Sequence, residues 1–287
     1  MNLAIGFFDG VHLGHQRILA GADAVFTFEN HPSTVLDPDH VPPLLMSLDE
    51  RVEGLRTIGA NGGTKRSVHA VAFTKEFASM TPAEFVEYLR NRFPLLNRIQ
   101  CGANWRFGRN GAGTPEVLRE HGFDVAVADC ATYKGERISS TRIRMSLIDG
   151  RLDDANAMLG HPFAVSGRII EGKGIAKELN AATLNVRVAA PLKFGVYAVR
   201  TDLGFGVANY GLAPTMGAQA WSSPVLEVHL FDGSVLSAAD APPTLRTEFI
   251  SFIRPERRFS SVDALRSQIV IDMAQARNVM NGKGDFK

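Results

Sequence analysis

Cysteine is scarce. Cys101 and Cys130 are the only two among 287 residues, and neither belongs to a C-x-x-C pair. A disulfide framework and a cysteine-built zinc site are therefore excluded. Charge of one sign is missing too: 31 Lys and Arg stand against 30 Asp and Glu, for a formal net charge of +1. Such a balance leaves no electrostatic footprint for nucleic acid or for an anionic membrane surface. No apolar run approaches the roughly 20 residues of a membrane span. The opening Met1-Asn2-Leu3-Ala4-Ile5 lacks the basic and long apolar regions of a secretion signal. Internal repeats and low-complexity stretches are also missing. These absences point to a cytoplasmic, reduced protein with no nucleic-acid or membrane partner; a monomer or weak homo-oligomer is expected. A hydrophobic content of 45% is ample for two ordinary domains.

What the chain does contain begins at residue 3. The apolar run Leu3-Ala4-Ile5 leads into Gly6-Phe7-Phe8-Asp9-Gly10-Val11-His12-Leu13-Gly14-His15-Gln16, where a buried strand should turn into a helix. Glycines permit a tight turn and let backbone N–H groups approach a phosphate, and the helix N-terminus adds partial positive charge. Two imidazoles three residues apart also suit a metal, but further ligands are lacking nearby, so polyphosphate binding ranks first.

Strands are expected over Leu3 to Ile5, Ala24 to Phe28, Val68 to Phe73, Arg98 to Gly102 and Phe123 to Ala128. Helical patterns lie between them. Thr81-Pro82-Ala83-Glu84 is a capping box with Pro at the first helical position, followed by Phe85, Val86 and Leu89 on one face. Thr114-Pro115-Glu116 is expected to open a helix in the same way. This alternation predicts βα units and a mostly parallel, Rossmann-like sheet, with ligands at the C-terminal strand ends. Beyond Leu159-Gly160-His161-Pro162-Phe163 the pattern changes. Runs at Phe163 to Ile170, Gly195 to Thr201, Phe205 to Tyr210, Val225 to Phe231 and Glu248 to Ile253 follow without intervening helices, which predicts an antiparallel barrel or sandwich. A last helix, capped by Ser260 or Ser261, is expected to Met280, with Val262, Leu265, Ile269, Asp272 and Met273 as a core-packing stripe. The expected domains are 1–158 and 163–287.

Several separated motifs together resemble the prokaryotic bifunctional riboflavin kinase/FMN adenylyltransferase (FAD synthetase) family. They are the 6–16 stretch, Thr27-Phe28-Glu29-Asn30-His31-Pro32, Arg51-Val52-Glu53, Phe107-Gly108-Arg109-Asn110 and Ile138-Ser139-Ser140-Thr141-Arg142-Ile143-Arg144. The resemblance implies a nucleotidyltransferase α/β domain joined to a six-stranded flavokinase barrel. The first would adenylylate FMN with ATP to give FAD and pyrophosphate; the second would phosphorylate riboflavin to FMN; both would use Mg²⁺. His12 and His15 would donate to the phosphates, with Gly6, Phe7, Asp9 and Gly10 around them. Ser139, Ser140 and Thr141 would open a phosphate-holding helix, and Arg142 or Arg144 would clamp pyrophosphate. Two residues apart, these arginines cannot share one helical face, so one is assigned to structure. His31, Asn104, Arg106 and Phe107 would line the flavin or nucleotide. Taken singly, Ser-Ser-Thr is an ordinary helix cap, Asp9 a turn residue and His31 a loop histidine.

This chain departs from the family pattern in places. Asn30 stands where Pro is usual, Asn104-Trp105 replaces an Asp-Phe pair, and the segment between Gln16 and Phe26 is short. The kinase signature Gly-Arg-x-x-Gly-Phe-Pro-Thr-Ala-Asn is matched by Ala176-Lys177-Glu178-Leu179-Asn180-Ala181-Ala182-Thr183-Leu184-Asn185. Thr183 and Asn185, which the resemblance assigns to Mg²⁺ and ATP phosphates, are kept. Asn209 and the nearby Pro214-Thr215 fit its flavin side, and Glu227 would be the general base; as a strand residue, Glu227 could equally face solvent. The usual Asp-Leu-Tyr-Gly run is not recognisable between Asp232 and Ala241. Alternatives are an FAD synthetase with a silent flavin-binding barrel, another His-x-Gly-His nucleotidyltransferase, or a non-catalytic nucleotide-binding module.

Overall fold

The run Leu3-Ala4-Ile5 becomes β1 (Asn2–Ile5), the middle strand of a five-stranded sheet in a computed structural model of the protein. The structure describes residues 1–59, 65–170, 183–212, 224–231, 242–257 and 259–282. By packing, the chain divides into two compact units, Met1–Ser140 and Thr141–Lys287.

In the first unit, β1, β2 (Ala24–Phe28), β3 (Ser67–Val71), β4 (Arg98–Gly102) and β5 (Asp124–Ala128) are all parallel, in the order β3-β2-β1-β4-β5. The order reverses between β1 and β4, so the crevice beyond their carboxyl ends is where such a sheet binds ligands. β1 is apolar throughout its buried part because both faces are covered. Leu3 and Ile5 join Phe26, Ile99 and the α5 (Pro82–Arg92) residues Phe85 and Leu89 in one core. Ala4 faces the other core, with Leu19 of α1 (Leu13–Leu19) and Leu55 of α3 (Leu48–Thr57).

α5 has the expected capping box, with Thr81 Oγ1 accepting from Glu84 N and the Glu84 carboxylate from Thr81 N. α6 (Pro115–Glu120) begins at the expected place but not in the same way. Thr114 makes no side-chain cap bond. The third helical residue is Val117, which has no carboxylate to complete a box. A short hairpin, β6 (Thr132–Tyr133) and β7 (Glu136–Arg137), was not signalled by hydrophobic pattern; Lys134 (φ 52°) and Gly135 (φ 80°) turn it.

In the second unit a closed antiparallel barrel runs β10-β11-β12-β9-β8-β13, comprising β8 (Phe163–Ile170), β9 (Thr183–Arg187), β10 (Gly195–Thr201), β11 (Gly204–Leu212), β12 (Pro224–Leu230) and β13 (Thr244–Pro255). β9 is the strand the sequence pattern does not mark, since only Leu184 and Val186 alternate inward over five residues. The packing division falls earlier than residue 158, inside α7 (Ser140–Ile148). The following helix, α8 (Leu152–Leu159), is tied to the barrel through Asn156, whose amide donates to Phe249 O at 2.9 Å and accepts from Phe163 N at 2.7 Å.

The last helix, α9 (Val262–Gly282), is capped by Ser261 Oγ, which accepts from Ala264 N. Met273, Ala276 and Met280 pack on Val196, Ala198, Val207 and Ile250 of the barrel. Asp272, read as part of an apolar stripe, is buried for a different reason. It receives Arg254 Nε at 2.9 Å and Nη2 at 2.7 Å, and Gln268 Nε2 at 2.7 Å. A charge is tolerated there because it is paired and hydrogen-bonded.

Candidate functional site

The 6–12 loop leaves β1 in a conformation that side chains resist. Phe8 (φ 60°) and Val11 (φ 40°) both have positive φ, which for bulky or β-branched residues costs on the order of 1–3 kcal/mol each. Burial of both side chains offsets that strain. Gly6 is required because a Cβ there would lie 2.9 Å from the Phe8 ring. The Asp9 carboxylate is buried and accepts from Leu45 N at 2.9 Å and Met46 N at 3.2 Å. It therefore ties the loop to a segment 36 residues away.

Arg51, which the sequence marks only as part of the Arg51-Val52-Glu53 motif, anchors the loop from beneath. Fully buried, it donates Nη1 to Phe7 O at 2.7 Å and Nη2 to Phe28 O at 2.7 Å and Glu29 O at 3.1 Å. Its guanidinium carbon lies 3.9 Å over the Phe7 ring. Burial pulls its pKa down to about 10, against the opposing pull of Asp9. The segments that follow β1 and β2 are thus joined by one side chain. The available signal was an arginine four residues before Leu55, on the buried face of an amphipathic helix.

His12 caps α1: its Nδ1 accepts from His15 N at 3.2 Å. This fold-back explains the spacing His-x-Gly-His, because a Cβ at Gly14 would sit 3.0 Å from His12 Cε1. The two imidazoles stack at 3.5 Å, inclined by 17°. Burial pushes His12 down to about 4, with a backbone hydrogen bond opposing and the Arg137 charge adding to the effect. His15 is lowered well below the ordinary range, by burial first and then by His12. Both rings are neutral near pH 7. With Nδ1 of His12 accepting, its proton resides on Nε2, which is left as a donor. His15 Nδ1 is buried and has no partner among the described residues.

A pH dependence follows from these shifts. Unfolded His12 binds a proton near pH 6.5 and the folded residue only near pH 4, so between those values the unfolded chain holds more protons. Stability is therefore full above pH 6.5 and falls as pH drops through the window, by up to about 3 kcal/mol from this group. Thermal unfolding from pH 7 to 4.5 should show that decline, and His12→Asn should make it shallower by this group's share, His15 keeping its own; parallel curves would contradict the assignment.

His31 lies against the same loop, edge-on to Phe7 at 4.7 Å, with its Nδ1 accepting from Ser33 N. Asn30, where the sequence departs from Pro, accepts from Phe73 N at 2.8 Å and donates to Phe73 O at 3.0 Å, so its amide ties the post-β2 segment to the one after β3. Ser140 Oγ donates to Asp9 O at 2.8 Å, which brings the start of α7 to the loop; Ser139 precedes it, half-buried. Thr141, Arg142 and Arg144 continue α7 in the second unit; Arg144 is buried and Arg142 half-buried. Asn104 and Arg106 are exposed after β4, while Phe107 is buried against Phe85 and stacks with Trp105 at 4.9 Å.

The barrel has its own cluster. Register places Glu227 of β12 opposite Asn209 of β11 on one side and Asn185 of β9 on the other, and His229 opposite Thr183. All point away from the face carrying the fully buried Leu226 and Val228. Thr183 Oγ1 and His229 Nδ1 are 3.1 Å apart. Glu227 is half-buried, so it differs from a fully solvent-facing strand residue; burial and then the Glu256 charge push its carboxyl up. Residues 176–182, Pro214-Thr215 and the segment Asp232 to Ala241 lie outside the described residues. Among the described residues, no group of three or more His, Cys, Asp or Glu side chains gathers to hold a metal, and no helix is long and apolar enough to cross a membrane.

Residues 1–142 match the FAD synthetase family and residues 159–280 the riboflavin kinase family. The bifunctional riboflavin kinase/FMN adenylyltransferase of Escherichia coli K12 is 35% identical over 299 residues, covering 96% of this chain and 91% of the relative. Its namesake from Pseudomonas fluorescens is 33% identical, with 95% and 91% covered, and that from Bacillus subtilis 168 is 30% identical, with 96% and 90% covered. A solved structure described as a macrolide-efflux protein from Streptococcus pneumoniae superimposes with a TM-score of 0.79 at 24% identity, over 96% of this chain and 93% of that one. That likeness concerns the fold alone.

Proposed function

The chain belongs to the bifunctional riboflavin kinase/FMN adenylyltransferase family, and from that premise we infer how its residues divide the two reactions. The protein phosphorylates riboflavin to FMN and adenylylates FMN to FAD, with ATP as co-substrate of both steps. We assign adenylyl transfer to residues 1–158 and the kinase to 163–287, in the cytoplasm.

In adenylyl transfer an FMN phosphate oxygen attacks the α-phosphorus of ATP, and the bond to the departing pyrophosphate breaks. Negative charge grows on the α-phosphoryl oxygens and on the leaving group, so fixed donors there lower the barrier and no protein nucleophile is required. His12 meets that need through its Nε2 proton, which is on that nitrogen because Nδ1 accepts from His15 N. This is the observation that carries the reading. His15 and the backbone of Gly6, Phe7, Asp9 and Gly10 complete the cradle. Ser139, Ser140 and Thr141 supply the N-terminus of α7, Arg142 clamps pyrophosphate, and the buried Arg144 supports the helix. His31, Asn104, Arg106 and Phe107 are assigned to the flavin or adenine side, Phe107 through the packing that holds Trp105.

In the kinase half, Glu227 takes the proton from the ribityl hydroxyl as that oxygen bonds to the γ-phosphorus of ATP, and ADP leaves. A carboxyl whose proton affinity is raised by burial is better matched to this task than an exposed one. Asn209 holds the flavin side. Thr183 and Asn185 offer neutral oxygen donors two residues apart on one strand face, a set that fits Mg²⁺ carrying water and substrate phosphates. When bound, that ion neutralises charge on the phosphates.

Incubation of the pure chain with ATP and Mg²⁺, followed by flavin chromatography, tests the whole reading. FAD is expected from riboflavin and from FMN alike. FAD from FMN alone would remove the kinase assignment, and product from neither would overturn both.

A further inference from the structure

The segment Arg254-Pro255-Glu256-Arg257 leaves β13 beside the barrel cluster and is held at two points. Arg254 is clamped to the buried Asp272, and Arg257 donates to Gln268 one turn earlier on α9. Between these clamps the Glu256 side chain turns toward β11. Its Oε1 accepts from Asn209 Nδ2 at 3.3 Å. Its carboxylate also lies directly over Gly211, where a Cβ would come within 1.8 Å of Oε1. Gly211 therefore leaves the space into which this carboxylate fits, and Asn209 sits in register with Glu227.

We propose that Glu256 is a positioning residue of the kinase half: its carboxylate, seated over Gly211, takes one N–H of the Asn209 amide and fixes that amide beside Glu227 for riboflavin. The inference rests on the kinase reading given above. An amide with a free torsion samples several orientations, and a charge-assisted acceptor selects one of them. The exposed Glu256 needs the two flanking clamps to be held in place, because an unrestrained surface carboxylate gains little from such a contact. The paired Arg254–Asp272 thus does more than dock α9, since it also places the residue two positions on.

Riboflavin binding to the full chain, read by flavin fluorescence and so independent of turnover, tests the proposal. Glu256→Ala should weaken riboflavin binding and raise its KM about tenfold, the size of one charge-assisted hydrogen bond. The KM for ATP and FAD formation from FMN should not change. Glu256→Gln keeps an acceptor oxygen and should recover most of the affinity. Gly211→Ala pushes the carboxylate aside without removing it and should reproduce Glu256→Ala, and the double variant should be no worse than either. Wild-type riboflavin affinity in Glu256→Ala, or a Gln variant no better than Ala, would overturn the proposal. A wild-type chain that binds riboflavin normally but does not phosphorylate it would instead refute the kinase reading, and one that does not bind riboflavin would overturn both.

Discussion

Replacing His12 by Ala is expected to slow FAD formation from FMN by about 10²–10³-fold, the usual loss when one fixed donor to a developing phosphate charge is removed. The substitution also uncaps α1, because His12 Nδ1 accepts from His15 N, and that costs about 1 kcal/mol of stability. His12→Asn separates the two effects. Asn is an effective cap acceptor but does not place a donor where imidazole Nε2 stood, so the rate loss should persist while thermal stability is largely kept. Conversion of riboflavin to FMN by the same chain serves as the internal control and should not change. Full FAD formation in both variants would remove His12 from the mechanism.

Glu227→Gln is expected to lower riboflavin phosphorylation by about 10²–10⁴-fold, the range for a lost general base. The change keeps the shape of the side chain and removes only its capacity to take a proton. Because Glu227 is half-buried beside Asn185 and Asn209, the neutral amide should be accommodated without unfolding the barrel. A split between kcat and KM is informative here. A base contributes in the transition state, so kcat should fall while the riboflavin KM stays near its starting value. A fall confined to KM would make Glu227 a binding residue. FAD formation from FMN should be unaffected.

The barrel illustrates how local pattern and tertiary contact divide the information. β8, β10, β11, β12 and β13 coincide with runs of β-branched and aromatic residues. β9 does not, because its five residues contain too few apolar positions to outweigh the surrounding polar segment. Yet β9 brings Thr183 and Asn185 to His229 and Glu227. Without that strand the four residues are only scattered polar positions. Asn30 is similar: its departure from Pro is plain in the sequence, but its bridge to Phe73 is not.

By itself the sequence determined the two halves, the parallel sheet with its glycine-rich turn and the antiparallel barrel, since hydrophobic period, caps and turn residues are local properties of the chain. Motif order also determined the family. Tertiary structure alone decided which polar side chains are buried and what they hold. Arg51 under the 6–12 loop, Asp272 beneath Arg254 and the neutral tautomer of His12 all depend on desolvation and on partners far away in sequence. Those quantities do not exist until the chain has folded, because burial raises the cost of a charge or an unpaired polar group only where water has been removed.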